Sequence, residues 1–187
     1  MNNAEQKEIN QQCLYLALIK LLEEKKLDKI TIGELCETAG VSRMTFYRSY
    51  NYKEDILLQH LEDCFVRFLQ ILKESQCHTH YEISLCFFNF WQIYEKEFLS
   101  ALLTSGLSSQ LMELFYHYLD LVYKKIDWTQ NVPSYIRSFL AGGLYKLLID
   151  WMKDESKASP EELATFLSIG GNALYDSFHH TEIHEQK

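Results

Sequence analysis

The chain has 187 residues, of which 47% are hydrophobic and 14% aromatic, with only two prolines and seven glycines. This composition excludes a disordered segment or a disulfide-stapled mini-protein, and the length suffices for one ordinary domain or a small domain joined to a larger one. A formal charge of -8 argues against nucleic acid if taken whole, yet residues 1–60 carry eight Lys and Arg against nine Asp and Glu, so the acidity belongs to the second part.

Apolar residues at helical spacing, among them Ile9, Cys13, Leu16 and Ile19, predict a first helix over roughly Ala4 to Lys25. Thr31 then opens a short helix with a capping box: its hydroxyl accepts from the Glu34 amide, and the Glu34 carboxylate returns to the Thr31 amide. Gly40 ends that helix as a left-handed cap. Ser42 is placed to cap a second short helix, Arg43 to Arg48. Asn51 is expected to cap a third, with Glu54 at its third position, and spacing through Ile56, Leu57, Leu61, Phe65, Phe68 and Leu72 carries it to about Ser75. Further helices are predicted near Tyr81 to Lys96, Phe98 to Thr104, Ser108 to Ile126, Ser134 to Lys153 and Pro160 to Phe178, the last announced by Ser159-Pro160-Glu161-Glu162. No segment alternates like a strand. The expected fold is all-α with about nine helices.

No run approaches the roughly 18 to 20 apolar residues of a membrane span, and the start MNNAEQKEIN is too polar for a secretory signal. No membrane partner and a cytoplasmic location are therefore expected. Cys13, Cys36, Cys64, Cys77 and Cys86 are odd in number and show no CxxC spacing, so they read as reduced, largely buried thiols.

Two short helices joined tightly at Gly40 form a helix-turn-helix, which can rest its first helix across a DNA backbone and lay its second in the major groove. Ile32, Leu35, Cys36, Ala39, Val41 and Phe46 form the inward stripe, leaving Arg43, Met44, Thr45, Tyr47, Arg48 and Lys53 to face outward. Arg43 can fork onto O6 and N7 of guanine, and Thr45 can touch a thymine methyl or a phosphate. Thr31, Tyr47, Arg48 and Lys53 suit phosphate oxygens, which position a protein without specifying sequence. Ser42 and Met44 complete the DNA-facing set.

At these positions the chain resembles the TetR/AcrR-type regulators. The matching residues are Thr31, Ile32, Leu35, Ala39, Gly40, Val41, Ser42, Thr45, Phe46, Tyr47, Lys53 and, one step early, Ile56, while Cys36 replaces the usual Ala and Tyr50 the usual Phe. The resemblance implies a three-helix DNA-binding domain followed by a helical ligand-binding and dimerisation domain, joined by a long fourth helix. The expected division is 1–52 for the helix-turn-helix domain and 53–187 for the effector-binding and dimerisation domain. In layout, SFLAGGLYKLLIDWMKDESKASPEELA is similar to the last two helices of many such proteins.

Those two helices carry broad apolar stripes. Phe139, Gly143, Leu147 and Trp151 on one, with Phe166, Gly170 and Leu174 on the other, are the expected dimer interface. The pairs Gly142-Gly143 and Gly170-Gly171 cost roughly 1 kcal/mol per glycine inside helices, which close backbone approach would offset. Stripes of this kind also serve as plain protomer core. For a small apolar or aromatic effector, Phe87, Phe90, Trp91 and Tyr94 on one helix and Phe115 and Tyr118 on another could line a pocket that shifts the fourth helix. Cys77, His78 and His80, and the tail histidines His179, His180 and His184, raise a metal reading but lack a fourth ligand at a convincing spacing.

The sequence thus predicts a ligand-responsive repressor that binds double-stranded operator DNA as a homodimer, with no resident cofactor or metal. The alternative is an activator controlled by a protein partner, or a zinc- or metal-responsive regulator. No GxSxG, HExxH, P-loop or GxGxxG occurs, so no enzyme is expected.

Overall fold

The computed structural model describes residues 2–94, 96–125, 133–153 and 158–184. Within them the chain is helical, without strands: α1 (Asn3–Glu24), α2 (Ile32–Ala39), α3 (Arg43–Tyr47), α4 (Glu54–Ser75), α5 (His80–Tyr94), α6 (Lys96–Ser105), α7 (Ser108–Lys125), α8 (Ser134–Lys153) and α9 (Pro160–His184). The last helix runs past the expected end at Phe178, and no Gly or Pro follows that residue to stop it.

Local chemistry accounts for most boundaries. Asn2 and Glu5 close a capping box at the start of α1. A short 3₁₀ turn at Leu27–Lys29 tucks Leu27 and Ile30 into the core before α2. Gly40 sits at φ 68°, and its amide and that of Val41 return to the Glu37 and Cys36 carbonyls at 3.2 and 3.0 Å, a Schellman closure that a β-carbon would strain. The start of α4 departs from expectation. The Asp55 carboxylate accepts from the Asn51 and Tyr52 amides, both at 2.9 Å, and so holds the turn that leads into α4.

The chain divides into two compact units, Met1–Cys64 with Glu97–Leu111, and Phe65–Lys96 with Met112–Lys187. In the first, α1 and α2 pack together and Leu14, Leu18, Ile30, Leu35, Phe46, Ile56 and Leu57 are fully buried. Tyr15 stacks on His60 at 3.9 Å, and Phe98 meets the same ring edge-on at 4.4 Å. The second unit is built on aromatic packing, with Phe65, Phe68, Phe87, Phe88, Trp91 and Phe115 all buried and α5 lying along α9.

An ion triad ties α7 to α8 in the second unit. Asp120 receives Lys124 Nζ at 2.5 Å and Arg137 Nε at 2.6 Å. Lys124 foremost, with Arg137, holds the Asp120 carboxyl below its ordinary 3.8 against the opposing effect of desolvation. A lowered carboxylate stabilises the fold above 3.8, and that contribution is lost as pH falls through the folded value. Asp120→Asn is expected to lower stability at neutral pH by on the order of 1 kcal/mol, the carboxylate being partly exposed. Urea unfolding of both proteins across pH should show the difference closing below 3.8.

Candidate functional site

Helix α3 is presented by a local arrangement. Ser42 Oγ accepts from the Thr45 amide at 3.1 Å and pairs with Thr45 Oγ1 at 2.9 Å, fixing the first turn. Phe46 points inward with no exposure and meets Tyr50 at 5.9 Å and Tyr47 at 5.2 Å, the latter edge-on. On the opposite side Met44 is 68% and Tyr47 55% exposed, and Arg43 and Arg48 are exposed beside them. Of the expected inward stripe, Leu35, Cys36 and Phe46 are buried, whereas Ile32, Ala39 and Val41 are half-buried.

The sequence-derived DNA set therefore lies together on the first unit, with its roles redistributed. Thr45 is half-buried and its hydroxyl is engaged by Ser42, which weakens it as a base reader relative to Met44. Arg43 lies back over the start of α2: a β-carbon on Gly33 would stand 2.5 Å from its Nη2. Burial pushes the Cys36 thiol up, and the Arg43 charge works against that rise. Thr31 is exposed and caps α2 by accepting from the Glu34 amide at 3.2 Å. The Glu34 carboxylate is held chiefly by Lys25, which lowers its pKa, the Thr31 amide contributing less.

Lys53 has a second role that residue spacing does not reveal. Its Nζ donates to the Ile30 carbonyl at 2.6 Å, so the ammonium pins the start of α4 to the residue preceding the α2 cap. Tyr52, 68% exposed in the turn beside it, is a surface aromatic that the helical pattern passes over because it stands between elements.

On the second unit the aromatic cluster holds five of the six expected effector residues. Phe87, Phe90, Trp91 and Phe115 are buried, and Tyr118 stacks on Phe65 at 4.8 Å and 6°. The Tyr94 side chain lies outside the described residues. Trp91 is fully buried, yet its Nε1 has no hydrogen-bond partner among the described residues, a condition that costs about 1–3 kcal/mol for a desolvated donor. Trp151 behaves otherwise, donating to the Ala158 carbonyl at 2.7 Å while packing on Phe88 at 5.3 Å.

Trp151 is therefore protomer core, which corrects its assignment to a dimer face; the Leu174 side chain lies outside the described residues. Phe139 at 72% and Phe166 at 67% are strongly exposed, as are Gly143 and Gly170, while Leu147 is half-buried. Tyr135 and Ile169 share that exposure and were not anticipated, although each lies one turn from an anticipated phenylalanine. Each glycine pair is split. Gly142 receives the Tyr116 hydroxyl and Gly171 the His80 ring within the protomer, whereas nothing lies within 4 Å of a β-carbon on Gly143 or Gly170.

The Cys77, His78 and His80 trio does not assemble. Cys77 Sγ meets Ser75 Oγ at 3.1 Å, and the Glu82 carboxylate is occupied with the His78 and Thr79 amides. Among the described residues no group of three His, Cys, Asp or Glu side chains could hold a metal ion. The tail histidine side chains lie outside the described residues. Burial, with Cys77 adjacent, pushes the Cys86 thiol up to about 11. No helix among the described residues is long and apolar enough to cross a membrane.

An all-helical chain with a helix-turn-helix head and a helical second unit has the architecture of a transcriptional regulator. The family model TetR_C_8, described as a transcriptional regulator C-terminal region, matches residues 78–169. The crystal structure of the TetR family repressor AlkX from Dietzia sp. strain DQ12-45-1b, implicated in biodegradation of n-alkanes, shares the fold. It aligns with TM-score 0.58 and 15% identity over 89% of this chain and 95% of that one. No curated protein matches the sequence. The family model and the fold agree: the second part of the chain is similar to the C-terminal region of transcriptional regulators, and the chain shares the fold of a TetR family repressor.

The Lys53 contact gives a test that needs no DNA. A charge-assisted hydrogen bond of this kind stabilises by roughly 1.5–3 kcal/mol when protected, less when half-exposed. Lys53→Ala should lower the urea-unfolding free energy by about 1–2 kcal/mol. An unchanged midpoint would show that the Ile30 contact contributes nothing to the fold.

Proposed function

We propose that the chain is a ligand-responsive repressor that binds operator DNA as a homodimer, its head (1–52) reading DNA and the remainder (53–187) dimerising and binding the effector. The observation that carries the DNA reading is the exposed face of α3, where Arg43, Met44, Tyr47 and Arg48 stand outward around a buried Phe46. Arg43 reaches guanine once its guanidinium leaves Gly33, and Met44 offers an apolar contact to a thymine methyl. Thr31, Ser42, Thr45, Tyr47, Arg48 and Lys53 anchor phosphates. Repression is supported by the description of the structural neighbour as a repressor.

The dimer reading rests on apolar side chains that the protomer leaves uncovered. Phe139 and Phe166, with Ile169 and Tyr135, are each about two-thirds exposed, and burying such a side chain contributes roughly 1.5–3 kcal/mol. Gly143 and Gly170 on the same two helices permit a neighbouring backbone to come close. An operator with two half-sites about one DNA turn apart then meets two α3 helices related by a two-fold axis. The effector reading places a small apolar or aromatic molecule at Phe87, Phe90, Trp91, Tyr94, Phe115 and Tyr118, and α4, shared by the two units, would carry its effect to the head.

A gel shift with the DNA upstream of the gene tests the whole reading, and no retardation in dilute salt would sink it. Arg43→Ala should cost about 1–3 kcal/mol and relax preference at one base position, whereas Arg48→Ala should weaken all sequences alike and flatten the salt dependence. Phe139→Asp with Phe166→Asp should convert a dimer to a folded monomer in sedimentation analysis. A wild type that sediments as a monomer at micromolar concentration would overturn the dimer reading.

A further inference from the structure

We infer that the Trp91 indole N–H is the hydrogen-bond anchor of the effector site, and that the effector is an uncharged, largely apolar molecule carrying one acceptor, such as a carbonyl or ether oxygen. The inference rests on the effector reading above and specifies its chemistry.

Trp91 is fully buried, and its Nε1 is the one buried side-chain nitrogen or oxygen without a partner among the described residues. The fold supplies an acceptor where it buries an indole for structure alone, as Trp151 shows with the Ala158 carbonyl at 2.7 Å. Among the described aromatic rings, Phe65 at 5.8 Å, Phe87 at 6.1 Å and Phe90 at 5.4 Å meet Trp91 at steep ring angles of 65–85°. Phenylalanines offer no acceptor. They do offer a wall that suits an apolar or aromatic body by edge-to-face contact.

A buried water would be a poor occupant. It needs two to four polar partners, and the three phenylalanine rings against Trp91 provide none. A molecule with an apolar body and a single acceptor matches the indole N–H, the buried donor left unpaired among the described residues. A charged molecule is disfavoured at the indole itself: Arg67 stands 5.9 Å from the Phe90 centroid, but the three rings against Trp91 bring no charge to its N–H, and an unpaired ion is expensive to bury.

The test uses the full chain and two probes of nearly the same size and shape, acetophenone and ethylbenzene, which differ in the carbonyl. Binding is followed in ¹H–¹⁵N spectra through the Trp91 indole resonance, assigned by its loss in Trp91→Phe or, should that variant misfold, by elimination with Trp128→Phe and Trp151→Phe. The expected result is a downfield move of the Trp91 N–H with acetophenone alone, and a roughly fivefold to tenfold tighter binding of acetophenone, the effect of one neutral hydrogen bond. Trp91→Phe should erase that preference.

If both probes bind equally and the Trp91 resonance stays put while neighbouring resonances move, the anchor falls and the effector reading stands. The anchor also falls if Trp91→Phe keeps the preference, or if the free protein already shows a hydrogen-bonded Trp91 N–H. If neither probe disturbs any resonance of the aromatic cluster up to its solubility limit, both readings fall.

Discussion

The presentation of α3 depends on the burial of one side chain, Phe46. A five-residue helix is far below the roughly 12 to 15 residues at which an isolated helix becomes even marginal in water, so α3 has no stability of its own. Its first turn is held by Ser42, and its end by the Ser49 and Tyr50 amides, which return to the Phe46 carbonyl at 2.9 and 3.0 Å. Between these caps the fully buried Phe46 ring sets the rotation of the helix and hence which residues face out. Core phenylalanines of this kind are worth about 3–5 kcal/mol against alanine, several times more than either cap. Gly40 contributes by letting α2 stop abruptly enough for Phe46 to reach the same core as Leu35.

In the second unit, polar satisfaction separates the two buried tryptophans more sharply than hydrophobicity does. Trp91 and Trp151 are both buried among phenylalanines, and a hydropathy pattern treats them alike. Their indole nitrogens separate them: one is bonded to a backbone carbonyl and the other is not. Trp151 thereby fixes the end of α8 to Ala158 just ahead of α9, a structural task, while Trp91 is left with an unused donor inside an apolar shell. The glycine pairs divide on similar grounds, Gly142 and Gly171 being filled by Tyr116 and His80 of the same protomer while Gly143 and Gly170 stay open.

The head was legible in the sequence because its signals are local. Thr31, Gly40 and Ser42 act within three or four residues of themselves, and each does what its position implies. Even the replacement of phenylalanine by Tyr50 has a local logic, since the buried ring keeps its place on Phe46 and its hydroxyl finds Gln11. Contacts between elements were not legible. Nothing in residue spacing says that Arg43 folds back onto Gly33, that Lys53 bonds Ile30, or that the Asp55 carboxylate holds the turn that leads into α4. In α8 and α9 apolar residues stand nearly all round, so periodicity could not divide the face toward the protomer core from the face left open, and Trp151 was assigned to the wrong one.

Charge links the two halves of this design. Outward cations near α3 are few, chiefly Arg43 and Arg48, while Lys53 already spends part of its ammonium on Ile30 and Lys25 is paired with Glu34. Each neutralised phosphate contributes through released counterions, so a head with so few free cations gains little sequence-independent affinity. In the proposed homodimer, useful binding would come from coupling two heads, the second engaging at the high effective concentration set by the first. That arrangement makes affinity depend on the spacing between heads more than on either head alone. A weakly charged head would thus suit the effector control proposed above, because a modest displacement carried along α4 could remove the second contact and leave only the weak first.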